Sequence, residues 1–193
     1  MKDFDPTIIQ LLNNRSVFEE IHQIKTSFIS LFSDLANEIS THKLLEVHGA
    51  SQGIKITKGN ELQHCPYQVL DIIRDFDKDN GFNIRIMNWW GRGMFIFVFL
   101  GRSNSRIKDF SNFVLKMKSM GFMLSETSSP WDYKNMIDKG FMVAVESVPQ
   151  VLLHLEHFKY IQFVERISYS ENFHSLKLNL KEQVLQILKL YSE

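Results

Sequence analysis

The chain has 193 residues, and 44% of them are apolar, including 16 phenylalanines. Its 22 Lys and Arg residues balance 22 Asp and Glu residues. This balance excludes the high net charge of disordered chains and disfavours the strongly basic composition typical of nucleic-acid binders. The composition predicts a single globular domain over residues 1–193, with a core that needs no disulfide or structural metal.

The N-terminal part of the chain has the pattern of two helices. Asp5 and Pro6 are typical of an N-cap and a first helical position, which predicts a short helix ending near Leu12. Ser16 and Glu19 match a capping box that would begin a second, long helix. Its apolar stripe is wide enough to pack across a sheet, with a coiled coil as the alternative. The stripe consists of Val17, Ile21, Ile24, Phe28, Leu31, Leu35 and Ile39.

The middle of the chain has the pattern of strands. Residues 53–59 alternate between apolar and polar, which predicts a strand. Residues 67–73 fit a strand or a helix, and their Val, Ile and Tyr content favours the strand. Residues 83–90 and 94–100 predict two more strands, separated by the tight turn Gly91-Arg92-Gly93. These two strands give the clearest hairpin signal in the sequence.

The second half of the chain mixes helices and strands without strict alternation. This order favours an α+β fold with a mainly antiparallel sheet and a central hairpin at about 83–100. We expect the long N-terminal helix, a middle helix and a C-terminal helix to pack against that sheet. The predicted elements are a helix at about 106–120, strands at 122–124, 141–145 and 160–167, a helix at 149–158, and a terminal helix at about 180–192 that begins with a capping box at Asn179 and Glu182.

The hairpin predicts which side chains share a face of the sheet. If Gly91 and Arg92 form a two-residue turn, Trp90 pairs with Gly93. Both faces are then largely apolar, so we expect both to be covered. A turn that is longer by one residue would exchange the faces of one strand. In the two-residue register, one face holds Ile84, Ile86, Phe95, Phe97 and Phe99, and the other holds Asn83, Arg85, Met87, Trp89, Met94, Ile96 and Val98.

Arg85 is the residue of this hairpin that most needs an explanation. A buried charge without a partner is very costly, so a carboxylate should pair with it. The candidates are Asp71, Asp75, Asp77 and the more distant Asp132.

Two interpretations of the hairpin residues remain open. Arg85, Trp89 and Arg92 could line a pocket for an anionic or planar ligand. The alternative is that Arg85 only pairs with a carboxylate while Trp89 and Trp90 pack in the core or an interface.

The loop at 129–133 is a second candidate surface, because loops on a rigid scaffold often carry function. It contains Trp131, Asp132 and Tyr133. These residues either contact a ligand or hold the loop in place by their own packing.

Signals for metal or covalent chemistry are weak. His154 and His157 lie three residues apart on a predicted helix, but no third ligand accompanies them. Cys65 follows His64, yet neighbouring residues of an extended chain point apart, so an inert buried thiol is expected. The turn at 91–93 lacks the following helix of a phosphate-binding loop. We therefore expect no metal and no cofactor.

The cellular compartment follows from the cysteine content and the hydropathy. With Cys65 as the sole cysteine, no intramolecular disulfide can form, as is typical of the reducing cytosol. The longest apolar run, at 94–100, is far shorter than the about 20 residues of a membrane-spanning helix. The acidic N-terminus does not match an export signal. A cytoplasmic location without membrane association is expected.

One stretch resembles a known group of proteins. Residues 59–71 read Gly-Asn-Glu-Leu-Gln-His-Cys-Pro-Tyr-Gln-Val-Leu-Asp, and Trp89-Trp90-Gly91 follows. This pattern is similar to a small family of uncharacterised, Bacteroidetes-type bacterial proteins, over roughly residues 55–100. The resemblance implies a bacterial cytosolic protein of similar size. It carries no activity, cofactor or catalytic residue with it.

The leading functional hypothesis is a non-enzymatic binding or interaction protein. Its partner is an unknown protein or a second copy, contacted through the long N-terminal helix or the sheet edge. Aromatic side chains are favoured at interfaces, and we expect exposed ones at Trp89 or Trp90, at Trp131 and at Tyr133.

Two other functions are alternatives. The first is an enzyme or small-molecule binder with a pocket where Arg85, Trp89, Asp71 and the 129–133 loop meet. The second is nucleic-acid binding, which the zero net charge disfavours. It would depend on a local basic patch formed by Arg92, Arg102, Arg106 and Lys108.

Overall fold

The computed structural model describes residues 5–39 and 41–190, with helices at both ends of this part of the chain and strands in its middle. The elements are α1 (Pro6–Leu12), α2 (Arg15–Glu38), α3 (Thr41–Val47), β1 (Lys55–Leu62), β2 (Cys65–Arg74), β3 (Phe82–Trp89), β4 (Gly93–Gly101), a 3-10 turn (Ser105–Asp109), α4 (Phe110–Ser119), β5 (Met123–Ser125), a π-helical turn (Lys134–Asp138), β6 (Met142–Ala144), α5 (Val148–Phe158), β7 (Tyr160–Ile167) and α6 (Phe173–Lys189).

Within the described residues, seven strands form one antiparallel sheet in the order β1-β2-β3-β4-β7-β5-β6. The first four strands are neighbours both in sequence and in space. The chain then leaves the sheet for α4, adds β5 and β6 at the far edge, and returns through α5 to place β7 beside β4. The predicted α+β class with a mainly antiparallel sheet is confirmed, and so are the helices expected at the N-terminus, in the middle and at the C-terminus.

One face of the sheet, which we call the helical face, is packed against helices. Phe32 and Leu35 of α2 and Val184 of α6 are buried in the same cluster as the β3 residues Ile84 and Ile86. The second half of the predicted α2 stripe, from Phe28 to Ile39, therefore packs across the sheet as expected, whereas Val17, Ile21 and Ile24 lie outside this cluster. Burial of this face provides the main core of the protein.

The opposite face, which we call the open face, has a smaller apolar cluster. Its strand residues include Met87, Trp89 and Phe97. In the part of the chain that the structure describes, the cluster residues outside the strands are Tyr133, Met136 and Ile137. The 126–141 segment is therefore the main cover of the open face, and it leaves part of this face accessible.

The register of the central hairpin differs from the predicted one. Trp89 lies opposite Gly93, so the turn between them has three residues rather than two. Gly91 and Gly93 both have positive φ angles, of 75° and 123°, which lets the chain accommodate the longer turn. Arg85 consequently pairs with Phe97 rather than sharing a face with Met94, Ile96 and Val98. The predicted faces of β4 were wrong because a slip of one residue exchanges them.

The N-terminus of α2 also differs in detail from the prediction. The helix begins at Arg15 with Asn14 as the N-cap. Ser16 lies inside the helix and donates a hydrogen bond of 2.7 Å to Asn14 Oδ1, while Glu19 accepts one from Arg15 at 2.7 Å. The predicted capping box at Ser16 and Glu19 is therefore wrong.

The terminal helix begins seven residues before the predicted start, at Phe173. Asn172 is its N-cap and accepts a hydrogen bond of 2.8 Å from the backbone N–H of Ser175. Asn179 and Glu182 lie inside α6, so the second predicted capping box is also wrong. Residues 191–193, which include the predicted end, lie outside the described residues.

Candidate functional site

The open face holds a buried ion pair at its centre. Arg85 of β3 lies opposite Asp71 of β2 in the sheet, and its guanidinium makes a bidentate contact with that carboxylate. The Nε–Oδ1 distance is 2.7 Å and the Nη2–Oδ2 distance is 3.0 Å. The side chain of Asp71 is 4% exposed and that of Arg85 is 15% exposed. Asp71 is therefore the carboxylate partner that the sequence required.

Tyr133 accepts a third hydrogen bond from this arginine. Arg85 Nη1 donates to the Tyr133 hydroxyl at 2.6 Å. Burial alone would lower the pKa of Arg85, but Tyr133 and Asp71 together hold it above its ordinary value. Burial also raises the pKa of Tyr133, against the opposing effect of Arg85. At neutral pH the arginine is therefore charged, and the tyrosine is a neutral phenol.

Aromatic rings surround the remaining surface of Arg85. Its guanidinium lies 5.4 Å from the ring centre of Phe76 and 5.2 Å from that of Trp131. Trp131 contacts Phe76 edge-to-face at 5.0 Å and lies 6.0 Å from Phe99. These contacts hold the indole in a defined orientation, although the residue remains 41% exposed.

The exposed side of Trp131 forms a wall of a cavity of about 560 Å³. This volume lies within the range of roughly 300–1,000 Å³ that is common for small-molecule sites. We call this cavity the aromatic cleft. Its lining residues are Phe76, Lys78, Asp79, Phe99, Arg102, Ser128, Ser129, Pro130, Trp131, Phe158, Lys159 and Tyr160.

The aromatic cleft has an excess of positive charge. It contains three cationic side chains and one carboxylate, that of Asp79, which forms an ion pair with Arg102. Within the described residues, Lys78 and Lys159 have no carboxylate partner, and both are exposed. Two uncompensated ammonium groups at an aromatic cleft favour an anionic ligand.

The backbone conformation of Lys159 brings it to the cleft. Lys159 is the C-cap of α5 and has a left-handed conformation, with φ 63°. Its backbone N–H donates to the carbonyl of Leu155 at 2.9 Å, which ends the helix directly before β7. Glycine is the usual residue in a left-handed conformation at a helix end, so the backbone of Lys159 is strained.

The turn that carries Phe76 and Lys78 is rigid. Asp75 Oδ1 accepts a hydrogen bond of 3.0 Å from the backbone N–H of Asp77, and Asp77 Oδ1 accepts one of 3.0 Å from that of Asp79. These acidic residues therefore act as turn-forming side chains. The cleft residues between them are held in position before any ligand binds.

The loop that carries Trp131 is fixed in a similar way. Thr127 Oγ1 donates to the carbonyl of Ser129 at 2.8 Å, and Gln162 Nε2 donates to that of Pro130 at 3.1 Å. This loop is therefore tied to β7 by a side-chain hydrogen bond.

Two buried amides flank Phe99 across the sheet. Phe99 pairs with Asn83 on one side and with Gln162 on the other. Asn83 is 0% exposed and Gln162 is 1% exposed. Among the described residues, Asn83 Oδ1 and Gln162 Oε1 have no hydrogen-bond partner. The open face thus offers two unsatisfied acceptors beside a residue of the cleft wall.

Trp89 and Arg92 form a separate cluster at the end of the hairpin. Trp89 is completely buried and donates through Nε1 to the carbonyl of Leu62 at 3.0 Å. The guanidinium of Arg92 lies 4.3 Å from the Trp89 ring centre. Its Nε donates a hydrogen bond of 2.8 Å to Asp138 Oδ1, and its Nη1 donates one of 3.1 Å to Cys65 Sγ. Of the two alternatives for an exposed aromatic, Trp89 is excluded because its indole N–H has a partner inside the protein, while Trp90 is partly exposed.

The other predicted site residues divide between the two faces. Trp90 donates to Gln68 Oε1 at 2.9 Å and lies near Lys25 of α2, at 6.0 Å from its Nζ. Tyr133 is 8% exposed, so the expectation of an exposed Tyr133 was wrong. Asp132 accepts a hydrogen bond of 2.6 Å from Asn135, and Asp71 takes the role at Arg85 that Asp132 could have had.

Sequence reasoning missed several residues of the aromatic cleft. Phe76 and Lys78 alternate with three aspartates in the 75–79 segment, and this pattern of turn-forming residues was a usable signal. Lys159 and Tyr160 gave no comparable signal, since the chain reversal between α5 and β7 is what brings them to the cleft.

The remaining signals have structural explanations. Burial lowers the pKa of His154 to about 4, so this imidazole is neutral at neutral pH. The described residues contain no group of three or more His, Cys, Asp or Glu side chains arranged to hold a metal ion. None of their helices combines the length and the apolar character needed to cross a bilayer.

The basic patch considered for nucleic acid is largely occupied by internal contacts. Arg92 pairs with Asp138, Arg102 pairs with Asp79, and Arg106 donates to the backbone carbonyl of Val47. The side chain of Lys108 lies outside the described residues.

Comparison with protein-family models, curated proteins and solved structures gave no significant match. The resemblance to an uncharacterised bacterial family remains an expectation from the sequence. The function is therefore inferred from the geometry of the aromatic cleft.

Proposed function

We propose that this protein is a non-enzymatic binding protein that holds a small, planar, anionic molecule in the aromatic cleft. The observation that supports this proposal is that one aromatic ring, that of Trp131, and two lysine ammonium groups face the same cavity. Trp131 is fixed by its neighbours yet 41% exposed to the cavity, and Lys78 and Lys159 line the same cavity. A planar ring can stack on the indole while its anionic substituent lies near the ammonium groups.

The rigidity of the walls supports binding without a large rearrangement. Arg85 and Phe76 hold Trp131 from one side, and hydrogen bonds hold both loops that form the cleft. A preformed site loses less conformational entropy when its ligand binds.

The chemistry of the lining residues favours binding over catalysis. The cleft contains the hydroxyls of Ser128, Ser129 and Tyr160, and none of the residues described as lining it is a histidine or cysteine. Burial raises the pKa of Tyr160, so its phenol stays protonated at neutral pH. A serine nucleophile would need an adjacent base, and the carboxylate of Asp79 is engaged by Arg102. A location in the bacterial cytosol is part of this proposal and is supported by the single cysteine.

The test is a thermal-shift and calorimetric titration with matched probes. Flavin mononucleotide and adenosine monophosphate each carry a planar ring and an anionic phosphate. Riboflavin and adenosine are their uncharged counterparts, and inorganic phosphate is an anion without a ring. We expect a planar anion to raise the melting temperature by about 5 °C or more at 100 times its dissociation constant. Each uncharged counterpart and phosphate should bind at least about tenfold more weakly.

Two variants connect binding to the cleft. Trp131→Ala and Lys159→Glu should each weaken binding of the planar anion by at least about tenfold. Leu153→Ala and Lys43→Glu are the matched controls, because both residues are exposed and neither lines the cleft. Equal binding by the Trp131→Ala variant and its control would contradict the proposal, and so would equal affinity for charged and uncharged counterparts.

A further inference from the structure

The N-terminal helices carry an apolar surface that the other residues in the described part of the chain leave exposed. None of the residues of α1 is buried, and in α2 the buried residues begin only at Phe28. The first half of α2 therefore extends beyond the main core. The exposed apolar residues of this region, which we call the N-terminal patch, are Ile8, Ile9, Leu11, Leu12, Phe18 and Ile24.

The size of the N-terminal patch is that of an interface. Its six residues are between 43% and 63% exposed, which corresponds to an apolar area on the order of 600 Å². The largest apolar patch of a typical monomer measures roughly 300–600 Å² and is often functional. A standard interface buries about 800 Å² on each partner, so the patch with its polar rim is large enough to form one.

The short helix α1 also needs a packing partner. Isolated helices shorter than about 12–15 residues are marginal in water, because nucleation is costly and few hydrogen bonds repay it. α1 has seven residues, and its apolar side chains face solvent. Tertiary or quaternary packing is what usually stabilises such a helix.

The charges around the patch indicate which partner fits. Arg15 and Glu19 already pair with each other at 2.7 Å, and the charged residues of this region include both signs. A strongly acidic or strongly basic partner has no complementary field here, whereas two copies of a mixed surface do not repel each other. The charged residues of the rim are Asp5, Arg15, Glu19, Glu20 and Lys25.

We propose that the N-terminal patch is a homodimer interface in which α1 and the first half of α2 pack against the same elements of a second copy. A two-fold contact uses one surface twice, so each copy contributes the same apolar area and the same mixed rim. This proposal does not depend on the aromatic cleft. α2 crosses the helical face and the cleft lies on the open face, so dimerisation should leave ligand binding unchanged.

The test is sedimentation analysis of the full chain from about 0.1 to 100 µM, a range that spans weak to tight association. We expect a dimer for the wild-type protein. The double variant Leu12→Glu with Phe18→Glu should raise the dimer dissociation constant at least about 100-fold, because it places unpaired carboxylates in an apolar contact. Leu153→Glu, on the exposed side of α5, is the matched control and should not change the dissociation constant.

Three results would overturn the proposal. They are a wild-type protein that stays monomeric over the whole range, a double variant that dimerises as well as the control, and assemblies larger than a dimer. If the glutamate variant melts at a lower temperature than the control, the alanine variant Leu12→Ala with Phe18→Ala replaces it. That variant should still weaken the dimer at least about tenfold.

Discussion

The two faces of the sheet use the same strands for different purposes. Along β3, Ile84 and Ile86 point to the helical face and pack against α2 and α6. The alternate residues Asn83 and Arg85 belong to the open face, where the 126–141 segment provides a partial cover. One strand therefore supplies an aliphatic core on one side and a polar, aromatic surface on the other, as the period of two in a strand allows.

The polar residues of the open face are costly to keep. Removing a charge pair from water costs several kcal/mol per ion by order of magnitude, and aliphatic residues in its place are often as stable or more stable. The helical face shows that this chain can fill such positions with aliphatic side chains. This cost is the reason to test whether Asp71 and Arg85 serve the aromatic cleft, since the guanidinium of Arg85 lies against the ring of Trp131.

The largest expected effect comes from the helical face. Phe32 is completely buried, so Phe32→Ala should lower the free energy of unfolding by about 4 kcal/mol through lost burial and a residual cavity. Ligand binding per folded molecule should stay the same. Urea unfolding followed by circular dichroism gives the free energy, and calorimetry gives the affinity.

Trp131→Ala is the counterpart on the open face. Because Trp131 is partly exposed, its loss should lower the free energy of unfolding by only about 1 kcal/mol. The same change should remove most of the ligand affinity. If the two variants lost stability equally, the distinction between a structural and a functional face would not hold.

The ion pair offers the next largest effect. Asp71→Leu leaves the guanidinium of Arg85 without a carboxylate and should lower the free energy of unfolding by about 3 kcal/mol. The double variant Asp71→Leu with Arg85→Met removes both charges and should recover most of that loss. Urea unfolding of the wild-type protein and of the three variants, including Arg85→Met alone, measures the coupling.

The coupling energy between Asp71 and Arg85 distinguishes a functional role of the ion pair from a structural one. A stable double variant that no longer binds a planar anion would show that the pair is kept for the cleft. A double variant as unstable as Asp71→Leu would show instead that the open face needs the pair in order to fold.

A smaller effect is expected at the hydrogen bond between Arg85 and Tyr133. Tyr133→Phe removes the acceptor of the 2.6 Å hydrogen bond from Arg85 and should lower the free energy of unfolding by about 1.5 kcal/mol, as for hydrogen bonds to charged groups. Differential scanning calorimetry is a suitable measurement. Tyr169→Phe is the matched control, since it removes a hydroxyl bonded to Asn88 at 2.6 Å, away from Arg85. An equal loss of stability in both variants would mean that the charge of Arg85 does not strengthen its hydrogen bond with Tyr133.

Much of the sheet was predictable because local signals agreed with one another. The predicted strand at 160–167 has the bounds of β7, Tyr160–Ile167, and alternation together with glycine placed β3 and β4 to within a residue. The helix ends were less predictable. Asn172 and Asn179 are both suitable N-caps, and only the burial of Leu176 on the helical face selects the earlier one.

The aromatic cleft was predictable only in part. Arg85 needed a carboxylate on physical grounds, and the candidates included the correct Asp71. The hairpin register was less determined, since Gly91 and Gly93 permit both a two-residue and a three-residue turn. Lys159 enters the cleft through the chain reversal after α5, and no local pattern in the sequence contains that information.

The smallest expected effect concerns a polar residue on the helical side of β7. Glu165 alternates with Phe163 and Ile167 of the helical face, and burial raises the pKa of its carboxyl from 4.5 to about 7. The folded protein therefore favours the protonated form. This contribution to stability is fully present below the unfolded pKa near 4.5 and is lost as the pH rises through 7.

Glu165→Gln should remove this pH dependence. The side chain of Glu165 is partly exposed, so the change in free energy of unfolding should stay below about 1 kcal/mol. We expect the wild-type melting temperature to fall relative to that of the variant between pH 5 and pH 8, which calorimetry at several pH values would measure. Glu182→Gln, at an exposed position of α6, is the matched control and should follow the wild-type profile. If the wild-type melting temperature instead fell relative to that of Glu165→Gln toward acid pH, Glu165 would be stabilised as a carboxylate. The helical face would then tolerate a charge among its aliphatic side chains.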